Sequence, residues 1–437
     1  MIFSNILKNK SFLVYGLGLT GISAIKFLKK IGVKNIFIWD DNIETRKKYN
    51  LKYKEKNIKK RFSDVDYIVL SPGISLIKSK KKRYLKRNKN KIITDIDLFF
   101  LTNKTFKSIV VTGTNGKSTT CSIIHKVLSN SGINSELLGN IGKPILNYNL
   151  GKKKNVVLVI EMSSFQLEYS KYVRPDHAIF INFSKDHLDW HGNMNNYIKS
   201  KLKIFSLQNK NHFAYLPQDK DIIRRFKKNN FRSFVILNKR KTYNTLKKNI
   251  LNPYLSSKSN LENLSFIYDL KNNFKISDKR FFSILNKFKG LPHRQEIFLK
   301  KDNVFFINDS KATTFEATKA CLMNYKNVLW ILGGLKKKDD NFNINKFKKN
   351  VLSAFIIGKE RSFFKNKINK KIKYFETISL KQTMKYIFDE LRYMTNKRST
   401  IYVILSPASA SYDQFKNFEE RGNQFKKLII YNAKKYF

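Results

Sequence analysis

Short apolar runs that end in glycine, aspartate, serine or threonine recur along the chain, and most lead directly into an amphipathic helical pattern. This alternation is typical of parallel sheets covered by helices, so we predict an α/β fold. In such folds ligands bind at the carboxyl ends of the strands, where these polar residues stand. The apolar runs lie at 12–18, 36–40, 67–73, 109–117, 156–164, 178–184, 234–238, 328–334, 354–358 and 401–409.

The chain is long enough for several domains. Its 437 residues, 42% of them hydrophobic, can bury a large core. At roughly 100–200 residues per domain they predict about two to four domains. Lysine-rich connecting segments near Thr105 and Gly290 separate the strand–helix series. We therefore predict domains at 1–105, 106–289 and 290–437.

Basic residues dominate the charge. The chain has 87 Lys and Arg against 32 Asp and Glu, which gives a formal net charge of +55. Clustered cations would indicate a nucleic-acid partner. Here the lysines are spread through nearly every surface-like segment and alternate with Asn, Ile, Phe and Tyr, which favours compositional drift in an A+T-rich genome. We expect no specific nucleic-acid partner, although a basic nucleic-acid-binding ATPase stays an alternative.

Two features favour the cytoplasm. Cys121 and Cys321 are the only cysteines, so a disulfide framework is not expected. No uncharged run approaches the roughly 18 apolar residues of a membrane span, and Lys8 and Lys10 interrupt the apolar N-terminus before a signal-peptide core could form. We expect a cytoplasmic protein without a membrane partner.

A glycine-rich turn follows the first apolar run. Gly16, Gly18 and Gly21 form a GxGxxG pattern that opens a helix, and Asp40 ends the next predicted strand. Glycines at these positions let the backbone approach a pyrophosphate, and an acid about 20 residues on can hold a ribose. The ligand could be NAD, FAD or a nucleotide sugar, and a tight turn without a ligand is the structural alternative.

A second glycine-rich loop follows the strand predicted at 108–112. It lacks the first glycine of the GxxxxGK[ST] pattern, because Val111 stands there, but its chemistry is retained. Backbone N–H groups can cradle phosphates, Lys117 can neutralise the β/γ-phosphates, and the hydroxyl of Ser118 or Thr119 can bind Mg²⁺. The candidate phosphate-binding residues are Gly113, Thr114, Asn115, Gly116, Lys117, Ser118 and Thr119.

Three further residues are candidates for cation binding. Glu161 ends a very apolar predicted strand and can bind Mg²⁺. The alternative is that it is only an acidic residue that stabilises the N-terminus of the following helix. His187 lies in an acidic cluster after the next predicted strand and is the candidate ligand of a second cation. Lys201 falls on the inward face of a helix predicted at 194–205, where desolvation favours a neutral amine able to take CO₂; a lysine that snorkels to solvent is the alternative.

Polar clusters also mark the last third of the chain. They lie at 291–296, 307–314, 333–337 and 406–422, and all but the first follow predicted strands. Their hydroxyls, cations and backbone donors suit a small dicarboxylate or a phosphate, although Ser- and Gly-rich turns also occur for steric reasons.

The segments GTNGKST, EMSSFQLE, NFSKDHLD, LPHR, NDSKATT and SPASASYDQFKNFEERGNQF together resemble those of the Mur ligases, in order, from Gly16 to Phe425. The resemblance implies a Rossmann-like N-terminal domain for a UDP-sugar, a central P-loop ATPase and a Rossmann-like C-terminal domain for an amino acid. The last segment and GLGLTG are most similar to the members that add D-glutamate. This implies a ligase that adds D-glutamate to UDP-N-acetylmuramoyl-L-alanine with ATP, in peptidoglycan precursor synthesis. Separately, we expect a monomer.

The resemblance also assigns residues to ligands. The ATP contacts, besides residues 113–119, would be Asn263, His293, Arg294 and Asp309. The UDP-sugar contacts would be Gly18, Leu19, Thr20, Asp40, Ser71, Pro72, Gly73 and Asn140. The D-glutamate contacts would be Lys311, Thr313, Lys337, Ser411 and Phe418. Of two Mg²⁺ ions, one would be held by Ser118 and Glu161 and the other by His187 and a carbamate on Lys201; Lys117, Glu161, His187 and Lys201 would be the catalytic residues. Ser259 departs from the histidine that the family commonly has there.

The implied chemistry agrees with these residues. A carboxylate would first take the γ-phosphate of ATP, and an amine would then displace phosphate from the acyl phosphate. A folylpolyglutamate synthase-like ligase is the alternative enzyme. It is disfavoured because about 100 residues precede Gly113, whereas the P-loop of that family lies near the N-terminus.

Overall fold

The computed structural model describes residues 6–49, 55–103, 105–151, 155–238, 240–336, 343–369, 371–394 and 399–437. The chain divides into two compact units, Met1–Phe288 and Lys289–Phe437. Each described strand belongs to one of three sheets. The predicted α/β class is therefore confirmed, while the predicted domain boundaries stay a prediction. No helix in the described ranges is long and apolar enough to cross a membrane.

The N-terminal sheet has four parallel strands in the order β2-β1-β3-β4. Its strands are β1 (Phe12–Tyr15), β2 (Ile36–Trp39), β3 (Tyr67–Leu70) and β4 (Ile92–Ile93). Its helices are α1 (Leu19–Lys30), α2 (Ile43–Lys48), α3 (Glu55–Asp64), α4 (Lys82–Arg87) and α5 (Asp95–Thr102).

The central sheet has six parallel strands in the order β10-β9-β8-β5-β7-β6. Its strands are β5 (Lys107–Thr112), β6 (Ser135–Gly139), β7 (Val157–Glu161), β8 (His177–Phe180), β9 (Phe213–Leu216) and β10 (Phe234–Leu237). Its helices are α6 (Lys117–Ser129), α7 (Ser164–Tyr169), α8 (Leu188–His191), α9 (Met194–Leu202), α10 (Lys220–Lys228), α11 (Arg240–Asn249), α12 (Lys258–Asn272) and α13 (Asp278–Asn286).

The sheet of the Lys289–Phe437 unit has the order β11-β12-β16-β13-β14-β15, and only β11 runs antiparallel to its neighbour. Its strands are β11 (Glu296–Lys301), β12 (Val304–Asn308), β13 (Val328–Gly333), β14 (Val351–Ile357), β15 (Lys373–Glu376) and β16 (Ile401–Leu405). Its helices are α14 (Phe315–Leu322), α15 (Arg361–Ile368), α16 (Leu380–Met394) and α17 (Phe418–Tyr436). Short 3₁₀ helices lie at Lys89–Lys91, Ile145–Asn147, Lys203–Phe205 and Lys348–Asn350.

Helices cover both faces of the central sheet, which explains why its strands are apolar at successive positions. Ile109 packs in one hydrophobic cluster and its neighbour Val110 in another, on the opposite face of β5. Side chains alternate between the two faces of a strand, so every side chain of a strand buried on both faces lies in an apolar environment. The polar residues are thus displaced to the strand ends, where the candidate site residues lie.

Candidate functional site

The glycine-rich turn after β1 is required by close packing. Gly16 has a φ of +98°, and a Cβ there would lie 2.6 Å from the Ser71 side chain. A Cβ on Gly21 would lie 1.8 Å from the Gly16 carbonyl oxygen. A side chain fits at neither position, so these glycines bring α1 and the loop after β3 close to the turn.

Asp40 fixes this turn through its carboxylate. Oδ2 accepts a hydrogen bond of 2.8 Å from the Leu17 N–H, and Oδ1 accepts one of 2.8 Å from the Asn42 N–H. Beside the turn, Gly18 and Leu19 are exposed, and Thr20, Ser71 and Pro72 are half-buried. The predicted UDP-sugar residues of the first sheet therefore share one edge, at the carboxyl ends of β1, β2 and β3. The carboxylate of Asp40 shapes this edge through the backbone.

The second loop joins β5 to α6 and also leaves no room for side chains. A Cβ on Gly113 would lie 2.3 Å from Ile181 Cγ1. Gly116 has a φ of +81°, and a Cβ there would lie 2.3 Å from Asn263 Nδ2. Asn263, predicted as an ATP contact, is thus packed against the loop that precedes the N-terminus of α6. A helix N-terminus with a glycine loop is suited to phosphate.

The amide of Asn182 holds this loop, a role that the sequence reasoning missed. Its Oδ1 accepts from the Thr114 and Asn115 N–H groups at 3.0 and 2.9 Å, and its Nδ2 donates to the Asn115 carbonyl at 3.0 Å. The available signal was its place directly after the apolar run that forms β8, which is the neighbour of β5.

We expect Asn182→Ala to raise the KM for ATP about tenfold, because the loop loses three hydrogen bonds of about 0.5–1.5 kcal/mol each. Asn211→Ala, at an exposed asparagine, is the control. Initial rates at varied ATP concentration check this, and an unchanged KM in Asn182→Ala would show that the loop holds its shape without the amide.

Two lysines meet at the loop. Lys117 Nζ donates to the Gly113 and Thr114 carbonyls at 3.0 and 2.8 Å, and Lys201 Nζ donates to the Gly113 carbonyl at 2.6 Å. Lys201 is 1% exposed and its ammonium lies 4.6 Å from the centre of the Tyr197 ring. Burial, and then the charge of Lys117, hold the pKa of Lys201 well below its ordinary value. The inward position expected from helical spacing is thus observed.

Glu161 lies at the end of β7, in a setting that suits a cation. It is 2% exposed, and its Oε1 accepts a hydrogen bond of 3.1 Å from Asn140 Nδ2. Its Oε2 is buried and has no hydrogen-bond partner among the residues that the structure describes. A buried carboxylate oxygen without a donor carries a desolvation cost that a bound cation would offset. Asn140, predicted as a sugar contact, therefore also orients this carboxylate.

His187 stands near Tyr197 in an unusual backbone conformation. Its φ is +52°, its N–H donates to Asp186 Oδ1 at 2.8 Å, and its Nε2 lies 3.3 Å from Asp186 Oδ2. Its ring centre is 6.1 Å from that of Tyr197, the ring that Lys201 also contacts. No group of three or more His, Cys, Asp or Glu side chains that could hold a metal occurs in the described ranges. A metal here would need hydroxyl, water or modified-lysine ligands as well.

In the Lys289–Phe437 unit, His293 is part of a buried network. Its Nδ1 lies 2.9 Å from Asn308 Nδ2, and Glu296 Oε2 accepts from the His293 N–H at 2.9 Å. A Cβ on Gly422 would lie 2.2 Å from the same ring nitrogen. Arg294 follows in the same turn and is half-buried.

Asp309, at the end of β12, is buried. Its Oδ2 accepts from Ser406 Oγ at 2.8 Å, and its Oδ1 accepts from the Gln295 N–H at 3.1 Å. Burial raises the pKa of Asp309 to about 7, against the effect of these hydrogen bonds. It also raises the pKa of the neighbouring Cys321 thiol.

This pKa gives the stability a pH dependence. The pKa of Asp309 in the folded protein exceeds the value near 4 of a carboxyl in the unfolded chain. Between about pH 4 and pH 7 the native state therefore holds a proton on Asp309 that the unfolded chain has lost. The free energy of unfolding consequently falls as pH rises from about 4 to about 7. We expect Asp309→Asn to remove that part of the slope. Urea unfolding at several pH values checks this, with the exposed Asp302→Asn as control. Equal slopes in the wild type and Asp309→Asn would refute the assignment.

Two of the predicted D-glutamate residues, Lys311 and Phe418, meet at the start of α17. Lys311 Nζ lies 3.7 Å from the centre of the Phe418 ring, and the Phe418 carbonyl accepts from Ser310 Oγ at 2.8 Å. Ser411 is buried and Thr313 is half-buried. Lys337 lies outside the described residues.

Arg421 joins the two loops that carry these residues, and the sequence reasoning gave it no role. It is 1% exposed, its Nε donates to Ser310 Oγ, and its Nη2 donates to the Ser310 and Ser409 carbonyls at 2.8 and 3.1 Å. Its Nη1 has no partner within the described part of the chain. Burial lowers the pKa of Arg421 to about 10. An arginine placed after NFEE gives no local signal of burial; only its contacts reveal it.

Comparison with known proteins agrees with this geometry. Residues 111–276 match the family described as "Mur ligase middle domain", and residues 10–93 match "Mur ligase MurD-like, N-terminal domain". Among solved structures, UDP-N-acetylmuramate-alanine ligase MurC from Thermotoga maritima has a TM-score of 0.58 at 14% identity, over 98% of this chain and 100% of that one. The MurF ligase from Thermotoga maritima, solved with ADP, has a TM-score of 0.56 at 16% identity, over 98% and 99%. These likenesses concern the fold.

Curated relatives match over almost the entire chain. A protein of Wolbachia pipientis wMel is 31% identical over 97% of this chain and 96% of its own length. One of Buchnera aphidicola subsp. Schizaphis graminum is 35% identical over 96% and 97%. One of Rickettsia prowazekii is 31% identical over 97% and 98%. This chain therefore belongs to the Mur ligase family of ATP-dependent, amide-bond-forming enzymes. Each of these three relatives carries the name UDP-N-acetylmuramoylalanine--D-glutamate ligase.

Proposed function

We propose that this chain adds D-glutamate to UDP-N-acetylmuramoyl-L-alanine with ATP, in cytoplasmic peptidoglycan precursor synthesis. The observation that carries the proposal is the identity of 31–35%, over nearly full length, to ligases named for that reaction. We further propose that it acts as a monomer, without a membrane or a specific nucleic-acid partner.

The loop after β5 binds the phosphates of ATP in this proposal. Three features support this: Gly113 and Gly116 stand where a side chain would clash, the loop leads into the N-terminus of α6, and the ammonium of Lys117 lies at the loop. Asn263 lies against the loop, and Thr114 and Asn115 are held by Asn182. Lys117 neutralises the charge that develops on the transferred phosphoryl group.

Two Mg²⁺ ions belong to the proposal, one held by Ser118 and Glu161 and one by His187 and Lys201 as a carbamate. Glu161 supports the first because its Oε2 is buried without a donor among the described residues. Lys201 supports the second because its buried amine lies against the phosphate loop. When bound, the metal ions would offset phosphate charge, and the carbamate would supply an anionic oxygen ligand.

The reaction then needs two steps, since an amine does not displace oxide from a carboxylate. The L-alanyl carboxylate attacks the γ-phosphorus of ATP, the bond from that phosphorus to the bridging oxygen breaks, and ADP leaves. The D-glutamate amine attacks the acyl carbon, loses a proton, and releases inorganic phosphate as the amide forms. Lys117 stays beside the group that carries the charge in both steps.

The remaining predicted contacts are assigned within each unit. The edge formed by Gly18, Leu19, Thr20, Asp40 and the loop 71–73 binds the UDP-sugar, with Asn140 towards the muramoyl part. In the Lys289–Phe437 unit, His293, Arg294 and Asp309 contact the nucleotide. Lys311, Thr313, Lys337, Ser411 and Phe418 contact D-glutamate. The cation of Lys311 beside Phe418 supports a carboxylate site.

The experiment that tests the function is phosphate release from ATP and Mg²⁺ in the presence of UDP-N-acetylmuramoyl-L-alanine. D-glutamate, L-glutamate or neither is added, and the product is followed by mass. We expect phosphate and an adduct with D-glutamate alone. An adduct with neither isomer would overturn the proposal, and a folate substrate or stimulation of ATP hydrolysis by nucleic acid would then be tested directly.

A further inference from the structure

A cavity of about 370 Å³ is lined by residues of α7, α8 and α9 and of the loop that follows β3. Its wall includes the side chains of Lys89, Lys199 and Lys203, together with Glu168, Tyr169 and Trp190. None of the predicted ATP, UDP-sugar, D-glutamate or metal residues lines it. Its volume is in the range of small-molecule sites.

The helix α9 separates this cavity from the phosphate loop. Lys201 points from α9 to the Gly113 carbonyl, whereas Lys203, which follows the last residue of α9 in helical conformation, pairs with Glu168 at 3.1 Å. Side chains two residues apart lie about 200° apart around a helix, so they leave it on opposite sides. A ligand in the cavity would therefore contact the side of α9 opposite to Lys201.

Positive charge exceeds negative charge on the cavity wall. One carboxylate, that of Glu168, is shared by Lys203 at 3.1 Å and Lys89 at 3.5 Å. Lys199 adds a third ammonium from the exposed side of α9. Three cations and one anion leave an excess of two positive charges, which a bound anion would offset in part or in full.

Two aromatic residues, Tyr169 and Trp190, also line the cavity. The ring centres of Tyr169 and Trp190 are 5.5 Å apart, at an interplanar angle of 56°. The Tyr169 hydroxyl is fixed, because it donates to the Ile74 carbonyl at 2.8 Å and accepts from the Leu76 N–H at 3.1 Å. Trp190 Nε1 is a buried donor with no partner among the described residues. Tyr169 is only 3% exposed whereas Trp190 is half-buried, so Trp190 provides most of the aromatic surface of the cavity.

We propose that this cavity binds a small aromatic anion, with its phosphate or carboxylate group at Lys89, Lys199 and Lys203 and its ring against Trp190. Three lysines and the half-buried ring of Trp190 meet here in one concave site. The combination of cations and aromatic faces selects a ligand that carries both an anionic head and a flat apolar body.

The fluorescence of Trp190 allows a direct test, because the other two tryptophans, Trp39 and Trp330, are fully buried. Phenyl phosphate, benzoate and inorganic phosphate are titrated into the full chain at fixed ionic strength. We expect saturation with phenyl phosphate or benzoate at a concentration at least about tenfold below that for inorganic phosphate, and no signal in Trp190→Phe. Whichever of phenyl phosphate and benzoate binds more tightly shows whether the site prefers a phosphate or a carboxylate group.

The double variant Lys199→Gln/Lys203→Gln should lower the affinity for the tighter-binding aromatic probe about tenfold or more. This is the effect of losing roughly one charge-assisted contact. Ile77→Asp, at a half-exposed position on the cavity wall, should also weaken binding of this probe. It serves as the test variant if the double variant does not fold. Lys227→Gln/Lys228→Gln, two exposed lysines of α10, is the matched control.

Three results would overturn the proposal. The control Lys227→Gln/Lys228→Gln could weaken binding of the aromatic probe as much as Lys199→Gln/Lys203→Gln does, or inorganic phosphate could bind as tightly as the aromatic probe. Loss of the fluorescence change in Lys117→Ala would place the probe at the phosphate loop. The readout needs no ligation, so it stands or falls separately from the proposed function.

Discussion

Lys201→Ala is expected to lower the rate of ligation by about 10³-fold. Lys201 is buried against the loop proposed to bind ATP, and its modified form is proposed as a ligand of one Mg²⁺. Losing one preorganised group that stabilises transition-state charge typically costs 10²–10³-fold in kcat. Phosphate release with UDP-N-acetylmuramoyl-L-alanine and D-glutamate measures the effect.

Short carboxylic acids should restore part of the activity of Lys201→Ala, because they can occupy the space and charge of the carbamate. Lys201→Met keeps the volume of the side chain and should not be rescued. Lys227→Ala, at an exposed lysine of α10, should keep wild-type rates. Full activity in Lys201→Ala without added acid would eliminate the carbamate from the proposal.

Stability measurements separate this effect from misfolding. Burying the Lys201 amine requires desolvation, which its hydrogen bond to the Gly113 carbonyl offsets only in part. An apolar side chain of similar volume avoids that cost, so Lys201→Met should unfold at no lower urea concentration than the wild type. A large drop in the unfolding midpoint would mean that the lysine has a structural role.

Arg421→Met is expected to destabilise the Lys289–Phe437 unit by about 3 kcal/mol or more. The guanidinium makes three hydrogen bonds, to Ser310 Oγ and to the Ser310 and Ser409 carbonyls. Its removal leaves buried acceptors unsatisfied, at about 1–3 kcal/mol each. Urea unfolding followed through Trp330, which is the one tryptophan at or beyond position 289, measures the change in a Trp39→Phe/Trp190→Phe background.

Arg421→Lys tests the shape of the group. It keeps a cation but cannot reproduce the planar fork, so it should recover only part of the lost stability. Arg392→Met, at a side chain that is 70% exposed, should change stability by less than about 0.5 kcal/mol. A loss below about 1 kcal/mol in Arg421→Met would show that water reaches the two carbonyls.

The pattern of the sequence was sufficient for the fold class and for the local shape of both glycine loops. Apolar runs that end in polar residues predicted parallel strands, because a strand buried on both faces can place polar groups only at its ends. The glycine loops were predicted to bring the backbone to a phosphate, and that contact stays a prediction. The structure adds that a Cβ at Gly16, Gly21, Gly113 or Gly116 would clash with neighbouring atoms. Helical spacing placed Lys201 on the inward side of α9, where it is buried.

Other features were decided by contacts between distant parts of the chain. Asn182 holds a loop 67–68 residues before it, and Arg421 bonds to Ser310 from 111 residues away. Asp40 stays a predicted ligand contact, and only the tertiary structure shows that its carboxylate also accepts from two backbone N–H groups. The pKa of Asp309 near 7 follows from burial that no local pattern records. Periodicity reports which face of an element is apolar, whereas hydrogen-bond partners and desolvation depend on which elements become neighbours, and this only the tertiary structure determines.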